Sequence, residues 1–390
     1  MKAYKYKLKP SAKIIATFES WLALLCELYN AALQERRDAY RINHLSINYT
    51  AQANQLPEIK KDRPEFARIH SQVIQNALKR VESAFDGFFG RVKEGKRAGF
   101  PRFRSGSRYD SFTYPQSGFS LKGGKLRLSK IGKVNVHLSR PIEVEIKTCA
   151  IKREADGWYV IFAVEEPKKE IEPAPKESVG VDVGIESFAT LSDDEAAPID
   201  NPQYFRSAEG DLKKAQRRVS RRVKGSNRRK KAVRLLAKKH LKVKRQRRDF
   251  HFKEALKLVL KYQSITVEDL NIRGMVKNHH LAKSISDAGW GQFIMIVINK
   301  AEEAGRTVIK VNPSYTSQDC SGCGHRNRIR LATRIYRCSG CGLVIHRDRN
   351  GAKRIEQKGR AVPSGSKRGV ACEEPRTYQA ADLESPAITR

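Results

Sequence analysis

The stretch "VGVDVGIESFATLSD" (179–193) decides how the rest of the chain is read. It spells an apolar strand, a turn at Gly184 and a second strand, and it puts one carboxylate, Asp182, inside the first strand. A carboxylate among strand-forming apolar residues is costly unless it meets a cation. Just upstream, "EPKKEIEPAPKES" (166–178) is rich in Pro and charge and predicts a linker and a domain boundary. Downstream, "SITVEDL" (264–270) predicts another strand with Glu268 near its end, and "TVIKVNP" (307–313) one more. Between them "DAGWGQFIMIVINKAEEAG" (287–305) predicts one helix with a stripe of Phe293, Ile294, Val297, Ile298 and Ala301.

The N-terminal half has a different grain. Lys5, Lys7 and Lys9 alternate with Tyr4, Tyr6 and Leu8, the period of a strand with one wet basic face, and Pro10 ends it. From Ser11 to about Ile42 apolar residues recur at three and four, which predicts an amphipathic helix. A second long helix is expected from about Pro64 to about Val92, so residues 11–95 look like a helical module. "GKRAGFPRFRSGSR" (95–108) interleaves basic residues with Phe100 and Phe103, a composition suited to phosphates and stacked bases, or else a plain linker. Residues 110–165 predict short strands broken at Gly123-Gly124, Gly132 and Asp156-Gly157, for which a small β-barrel that the first strand could join is the economical fold.

Charge narrows the function. The 390 residues carry 77 Lys plus Arg against 42 Asp plus Glu, a formal net charge of +35, which a folded chain tolerates best beside a polyanion. Residues 206–248 hold 20 Lys or Arg against only Glu209 and Asp211, interrupted by Gly225-Ser226-Asn227. They read as a basic helical hairpin with nucleic-acid contacts rather than a merely solvated face, because such density without i,i+4 acids repels itself. Its candidate contacts are Arg217, Arg218, Arg221, Arg222, Arg228 and Arg229, with Arg102 and Arg104 in the aromatic loop. No run of apolar residues is long enough to span a membrane and the first residues lack a signal-peptide core, so a membrane partner is not expected and the chain is expected in the cytoplasm.

Two constellations carry chemistry. Cys320, Cys323, Cys338 and Cys341 form two CxxC pairs fourteen residues apart, each followed by Gly, which is the ligand set of a closed structural zinc site. Cys26, Cys149 and Cys372 lie far apart, so zinc in a reducing compartment suits the pattern better than disulfides. Asp182, Glu268 and Asp348 are candidates to hold two Mg²⁺ ions about 3.5 to 4 Å apart for phosphodiester hydrolysis, in the order expected of an RNase H-like nuclease. On the residues alone Asp269 stands as an alternative to Glu268, and Asp348 between Arg347 and Arg349 could be a surface acid neutralised by its neighbours.

The segments "GVDVGIESFA", "VEDL", "SISDAGWGQF", "TSQDCSGCG", "YRCSGCG" and "RDRNGA", in this order, resemble the TnpB family, transposon-encoded RNA-guided nucleases related to type V CRISPR effectors. "QNALKRVESAFDGFF" and "GFPRFR" extend the resemblance to roughly residues 1–358. It implies a multi-domain α/β chain: a β-barrel wedge domain (1–10 and 105–170), a helical recognition domain (11–104), and a RuvC-like, RNase H-fold nuclease domain (171–314 and 343–358). A zinc ribbon (315–342) is inserted in the last, and a tail from 359 to 390 is expected to be disordered. Asp182, Glu268 and Asp348 then fall on the three RuvC carboxylates and the four cysteines on the ribbon, with Arg347 and Arg349 serving the scissile backbone or the local fold.

The resemblance further implies a prokaryotic, nucleoid-associated protein that binds a guide RNA from the transposon end, acts on double-stranded target DNA and is monomeric in its ribonucleoprotein. By analogy Ser71, Gln72, Gln75 and Asn76 with Thr113 and Tyr114 would read a short motif beside the target, since Gln and Asn pair bidentately with adenine. Many relatives have an acid two residues before the third carboxylate, in "DRDxNAA", where this chain has His346, and it has Gly351 for the first Ala. Activity is expected to survive because Asp348 is kept, with metal preference or rate the property this departure touches. Asn350 matches the family and is expected to orient Asp348, contact DNA or cap the helix. A nuclease-dead guided repressor and a non-catalytic zinc-ribbon binding protein are the rival classes; the first usually lacks a RuvC acid and the second needs none.

Overall fold

The computed structural model describes residues 2–165, 172–330 and 333–362. The chain forms two compact units, one on each side of residue 167. The linker expected at 166–178 lies outside the described residues up to 171, and its end, from Lys176, is already strand. Most of the expected tail, 363–390, including Cys372, also lies outside them.

In the first unit, β1 (Lys2–Lys9) leads into α1 (Ala12–Asn43), whose start is capped by the Ser11 hydroxyl accepting from the Ile14 amide at 3.4 Å. Short helices α2 (Tyr49–Asn54) and α3 (Leu56–Asp62) and a 3₁₀ turn (Pro64–Arg68) precede α4 (Ser71–Lys93). The single helix expected over 64–92 is therefore broken at Ile69 and His70, where the backbone is extended and Ile69 is buried instead.

Strands β2 (Ser111–Tyr114), β3 (Phe119–Lys122), β4 (Lys125–Leu128), β5 (Gly132–His137), β6 (Ile146–Glu154) and β7 (Gly157–Val164) complete one antiparallel sheet with β1, ordered β2-β6-β7-β1-β5-β4-β3. The first strand joins the sheet at its centre. Among the described strands pairing runs in one line from β2 to β3. Phe18, Trp21 and Leu25 of α1 and Val73, Ile74 and Ala77 of α4 share one core with Phe112, Tyr114 and Trp158 of the sheet. Phe18 and Trp158, for example, pack at a tilt of 56° with ring centroids 4.8 Å apart.

The second unit is built on β8 (Lys176–Val183), β9 (Ser187–Leu191) and β10 (Ile199–Asp200), followed by the basic helices α5 (Tyr204–Ser220) and α6 (Asn227–Lys261). Gly225, at φ +88°, allows the turn between those helices. Then come β11 (Tyr262–Glu268), α7 (Ile272–Met275), α8 (His279–Ala288), α9 (Trp290–Glu303) and β12 (Thr307–Val311). The helix expected over 287–305 is α9, and its start is set by Gly289 at φ +68°, which ends α8 where the chain presses on Arg247 and His251 of α6.

The sheet order is β10-β9-β8-β11-β12, with β8, β11 and β12 parallel and β9 antiparallel to β8. A ribbon of β13 (Ile335–Arg337) and β14 (Val344–His346) precedes the closing helix α10 (Arg347–Arg360). The sheet core is Val179, Val181, Ile265 and Val267 against Phe293, Val297 and Ala301 of α9. Among the described residues no helix is long and apolar enough to cross a membrane.

Candidate functional site

The two strand acids are brought together by register. Val181 of β8 pairs with Val267 of β11 in a parallel ladder, so the next residues, Asp182 and Glu268, occupy equivalent places at the carboxyl ends of neighbouring strands. Neighbouring strands lie about 4.8 Å apart and successive side chains alternate, so both carboxylates leave the same face of the sheet.

Helix α10 lies on β8 with its first turn at these acids. A β-carbon on Gly180 would stand 2.0 Å from the Ala352 carbonyl oxygen, and one on Gly351 2.8 Å from Asp182 Oδ2. Only glycine permits the first approach, because the blocking atoms there are backbone. The third acid, Asp348, is the second residue of the helix.

The electrostatics record the convergence. Burial, followed by the Glu268 and Asp348 carboxylates, holds the Asp182 carboxyl well above the usual range, against the opposing charge of Arg347. Burial also raises Glu268, opposed by a 2.6 Å hydrogen bond donated by the Thr316 hydroxyl and by the charge of Lys358. Asp348 accepts from its neighbour Arg347 through Nε at 3.0 Å and Nη2 at 2.8 Å, and Arg334 lies 3.9 Å away. Oxygen donors that repel one another at the N-terminal end of a helix could hold a hard divalent cation, although among the described residues only the four cysteines have ligand atoms all within 4.8 Å of one another.

The cysteines form the second centre. All four sulfurs lie within 4.8 Å of one another, with Cys320–Cys341 at 3.7 Å and Cys323–Cys338 at 3.5 Å. A tetrahedron with Zn–S bonds of about 2.3 Å has edges of about 3.8 Å, so the four thiolates fit zinc and leave no open position. The amides of Gly322 and Gly340 donate to Cys320 and Cys338, each at 3.3 Å. Without a metal the clustered thiols share protons: the Cys341 and Gly340 amides favour the Cys338 thiolate against its burial, while hydrogen bonds with the other thiols raise Cys341.

The candidate nucleic-acid contacts separate by exposure. Arg217, Arg218, Arg221 and Arg228 are exposed along the α5–α6 hairpin; Arg222 is half-buried, and Arg229 donates to the carbonyls of Val219 and Arg222, both at 3.2 Å. Arg102 is exposed, while Arg104 lies over the Tyr29 ring and its backbone is tied to the Asn30 amide. On α4, Ser71 and Gln75 are exposed and Asn76 is half-buried, and Gln72 accepts from Ser117 at 3.1 Å. Thr113 accepts from Arg80 at 3.2 Å, and Tyr114 is fully buried with its hydroxyl on the Ser129 carbonyl at 2.9 Å. Arg349 grips the loop after β9 through the carbonyls of Leu191 (2.9 Å), Asp193 and Ala196 (2.8 Å).

Sequence reasoning missed Thr316, Lys358 and the role of Asn350. Asn350 is 0% exposed, and both ends of its amide bind the backbone beside Cys320 rather than Asp348. The α10 N-cap position is His346, which makes no side-chain cap. Nothing in a single sequence links these residues to partners tens of positions away, although Thr316 stands in a motif that carries the family resemblance.

Comparison with known proteins points the same way. A family described as "Probable transposase" matches residues 161–279, and one described as "Cas12f1-like, TNB domain" matches residues 290–355. A "Putative RNA-guided DNA endonuclease" of Streptomyces pristinaespiralis is 33% identical over 372 residues, covering 93% of this chain and 90% of the relative. "Putative RNA-guided DNA endonuclease InsQ" of Escherichia coli (strain K12) is 30% identical over 389 residues, covering 93% of each. A chain in the solved structure "Cryo-EM structure of the Cas12f1-sgRNA-target DNA complex" shares the fold at TM-score 0.58 and 15% identity, over 88% of this chain and 83% of that one.

Proposed function

The chain belongs to the TnpB family of transposon-encoded RNA-guided DNA endonucleases, and on that premise we propose that it cuts both strands of its target at one centre made of Asp182, Glu268 and Asp348. The observation that carries this is the shared register of Asp182 and Glu268 on adjacent parallel strands, with the first turn of α10 laid against them. The sheet order, with parallel β11 and then β12 on one side of β8 and antiparallel β9 on the other, supports an RNase H-like nuclease domain.

These three carboxylates would hold two Mg²⁺ ions, which when bound supply an activated water and stabilise the leaving 3′-oxygen of a phosphodiester. Asp182 resists ionisation without a counter-charge, so cation binding there is linked to release of its proton. The Thr316 hydroxyl fixes the orientation of Glu268, and Arg347 steadies Asp348. The four cysteines hold a structural zinc that folds the ribbon over 315–342.

Base pairing with the guide supplies sequence, and the protein supplies charge, shape and metal. The guide comes from the transposon end, and the exposed arginines of α5 and α6 hold the nucleic-acid backbone. The seven-stranded sheet serves as the wedge domain and the helices packed on it as the recognition domain, where exposed Ser71 and Gln75 with Asn76 read the adjacent motif. Tyr114 acts there only through packing. One protein copy per guide is expected.

The test is co-expression with the downstream locus, purification of the ribonucleoprotein, and incubation in Mg²⁺ with guide-matched plasmids carrying a randomised flank. Selective loss of one flank motif, abolished in Asp182→Asn, is the expected outcome. Intact plasmids despite a tightly bound RNA would move the assignment to a guided repressor.

A further inference from the structure

Helix α10 has two jobs on two faces. Its face toward the sheet carries Gly351, Ala352, Ile355 and Gly359, and a β-carbon on Gly359 would lie 2.1 Å from Thr266 Oγ1. Its other face is tied to the chain that leads into the zinc ribbon. Asn350 Nδ2 donates to the Asp319 carbonyl at 2.9 Å and Oδ1 accepts from the Ser321 amide at 2.8 Å, bracketing the ligand Cys320. Gln357 donates to the Ser321 carbonyl at 2.7 Å and Lys358 to the Ser314 carbonyl at 2.6 Å. Arg354 lies 3.6 Å from the Asp319 carboxylate.

The same loop reaches a second acid. Thr316, which donates to Glu268, sits in a turn closed by the Gln318 and Asp319 amides on the Tyr315 carbonyl at 3.0 and 2.9 Å. The first cysteine knuckle therefore touches the carboxylate centre by two routes: through Thr316 to Glu268, and through Asn350 and the helix backbone to Asp348, two residues away. Only an amide side chain fits the Asn350 position. It must offer one donor and one acceptor at once, and a carboxylate would set an oxygen against the Asp319 carbonyl.

We propose that Asn350 is a positioning residue that couples the zinc knuckle to the carboxylate centre, so that zinc in the ribbon and Mg²⁺ at the acids each strengthen the other's binding. The inference rests on the assignment of those two centres made above. Coupling of this kind is reciprocal, so it can be read from the zinc side without measuring cleavage.

The experiment uses the full-length, zinc-loaded, guide-bound protein and follows zinc loss to 4-(2-pyridylazo)resorcinol with and without Mg²⁺. In the wild type Mg²⁺ raises at least about fivefold, the low end of ordinary coupling, the chelator concentration that removes half of the zinc at equilibrium. In Asn350→Ala that protection disappears, and the Mg²⁺ concentration giving half-maximal cleavage rises by a similar factor while the rate at saturating Mg²⁺ is affected less. Asn350→Asp, which keeps the Ser321 bond and loses the Asp319 one, falls between.

Should Asn350→Ala not fold, Gln357→Ala carries the same test from the helix's next turn. Equal Mg²⁺ protection in wild type and variant, no protection in the wild type, or an unchanged Mg²⁺ requirement would each overturn the coupling. Failure of the nuclease assignment looks different: Asp182→Asn would then cut as the wild type does, whatever the zinc measurement gives.

Discussion

Replacing Gly180 with Ala should separate the two halves of the carboxylate centre. The new β-carbon would lie 2.0 Å from the Ala352 carbonyl oxygen and 2.7 Å from the Glu356 amide nitrogen, both backbone atoms of α10 that cannot rotate aside. Even the shortest spacing real β-carbons adopt, 3.0 Å, requires β8 and α10 to part by about 1 Å. Gly180 is two residues from Asp182, and Ala352 is four from Asp348, so the displacement falls directly between two of the three acids. Misplacement of reacting groups by about 1 Å costs on the order of 100-fold in rate. Overpacking of this kind costs about 1–3 kcal/mol in stability, or a fall in melting temperature of about 2–10 °C for a chain this size.

The assay is single-turnover cleavage of a guide-matched plasmid in saturating Mg²⁺, with thermal melting of the same preparations. Gly210→Ala, at an exposed helical position with nothing within 4 Å, is the control and should cut normally and melt no lower. A Gly180→Ala protein that cuts at the wild-type rate and melts at the same temperature would refute the packing of α10 on β8.

Three more outcomes are expected. Burial pushes His251 down to about 4, helped by Arg247, while its ring binds the Ala288 carbonyl at 2.9 Å. Since the unfolded chain takes up this proton near pH 6.5 and the folded one only near 4, stability is full above 6.5. It falls by about 3 kcal/mol as pH drops through that window. Urea unfolding at pH 7 and 4.5 should show the loss in the wild type and a smaller one in His251→Gln. Arg349→Ala should lower stability by about 2–4 kcal/mol, because it strands the carbonyls of Leu191, Asp193 and Ala196. It should leave the salt dependence of RNA binding unchanged, as titrations across ionic strength would show. The combined change of Arg217, Arg218 and Arg221 to Ala should do the reverse, lowering the salt slope by about 0.7–0.9 for each phosphate no longer neutralised while melting is unaffected.

How legible these features were depended on whether the signal was local. Asp182 stood out because a charge inside an apolar strand calls for a cation, and the ribbon because four thiols in two CxxC pairs leave few alternatives to zinc. The strands of the second unit and the hairpin turn at Gly225 followed from periodicity and punctuation. The break at His70 did not, because the apolar pattern runs straight through it. Nor did the exact start of α9, which is set by the close approach of Gly289 to Arg247 and His251 of another element. The order of the seven-stranded sheet was hidden for a similar reason, since hairpin signals fix sequence neighbours but not the place of β1 between β7 and β5. Asn350 was the hardest: its partners are the backbone at 319 and 321, and backbone leaves no trace in composition.

The most direct test of the single centre is strand-resolved cleavage of a target duplex with a different label on each strand, comparing wild type with Asp182→Asn, Glu268→Gln and Asp348→Asn. Each amide keeps the shape of its acid and removes the charge. The prediction is that all three lose cutting of both strands together while guide-directed binding persists. Continued cutting of either strand in any one of them would contradict a nuclease centre built from these three acids.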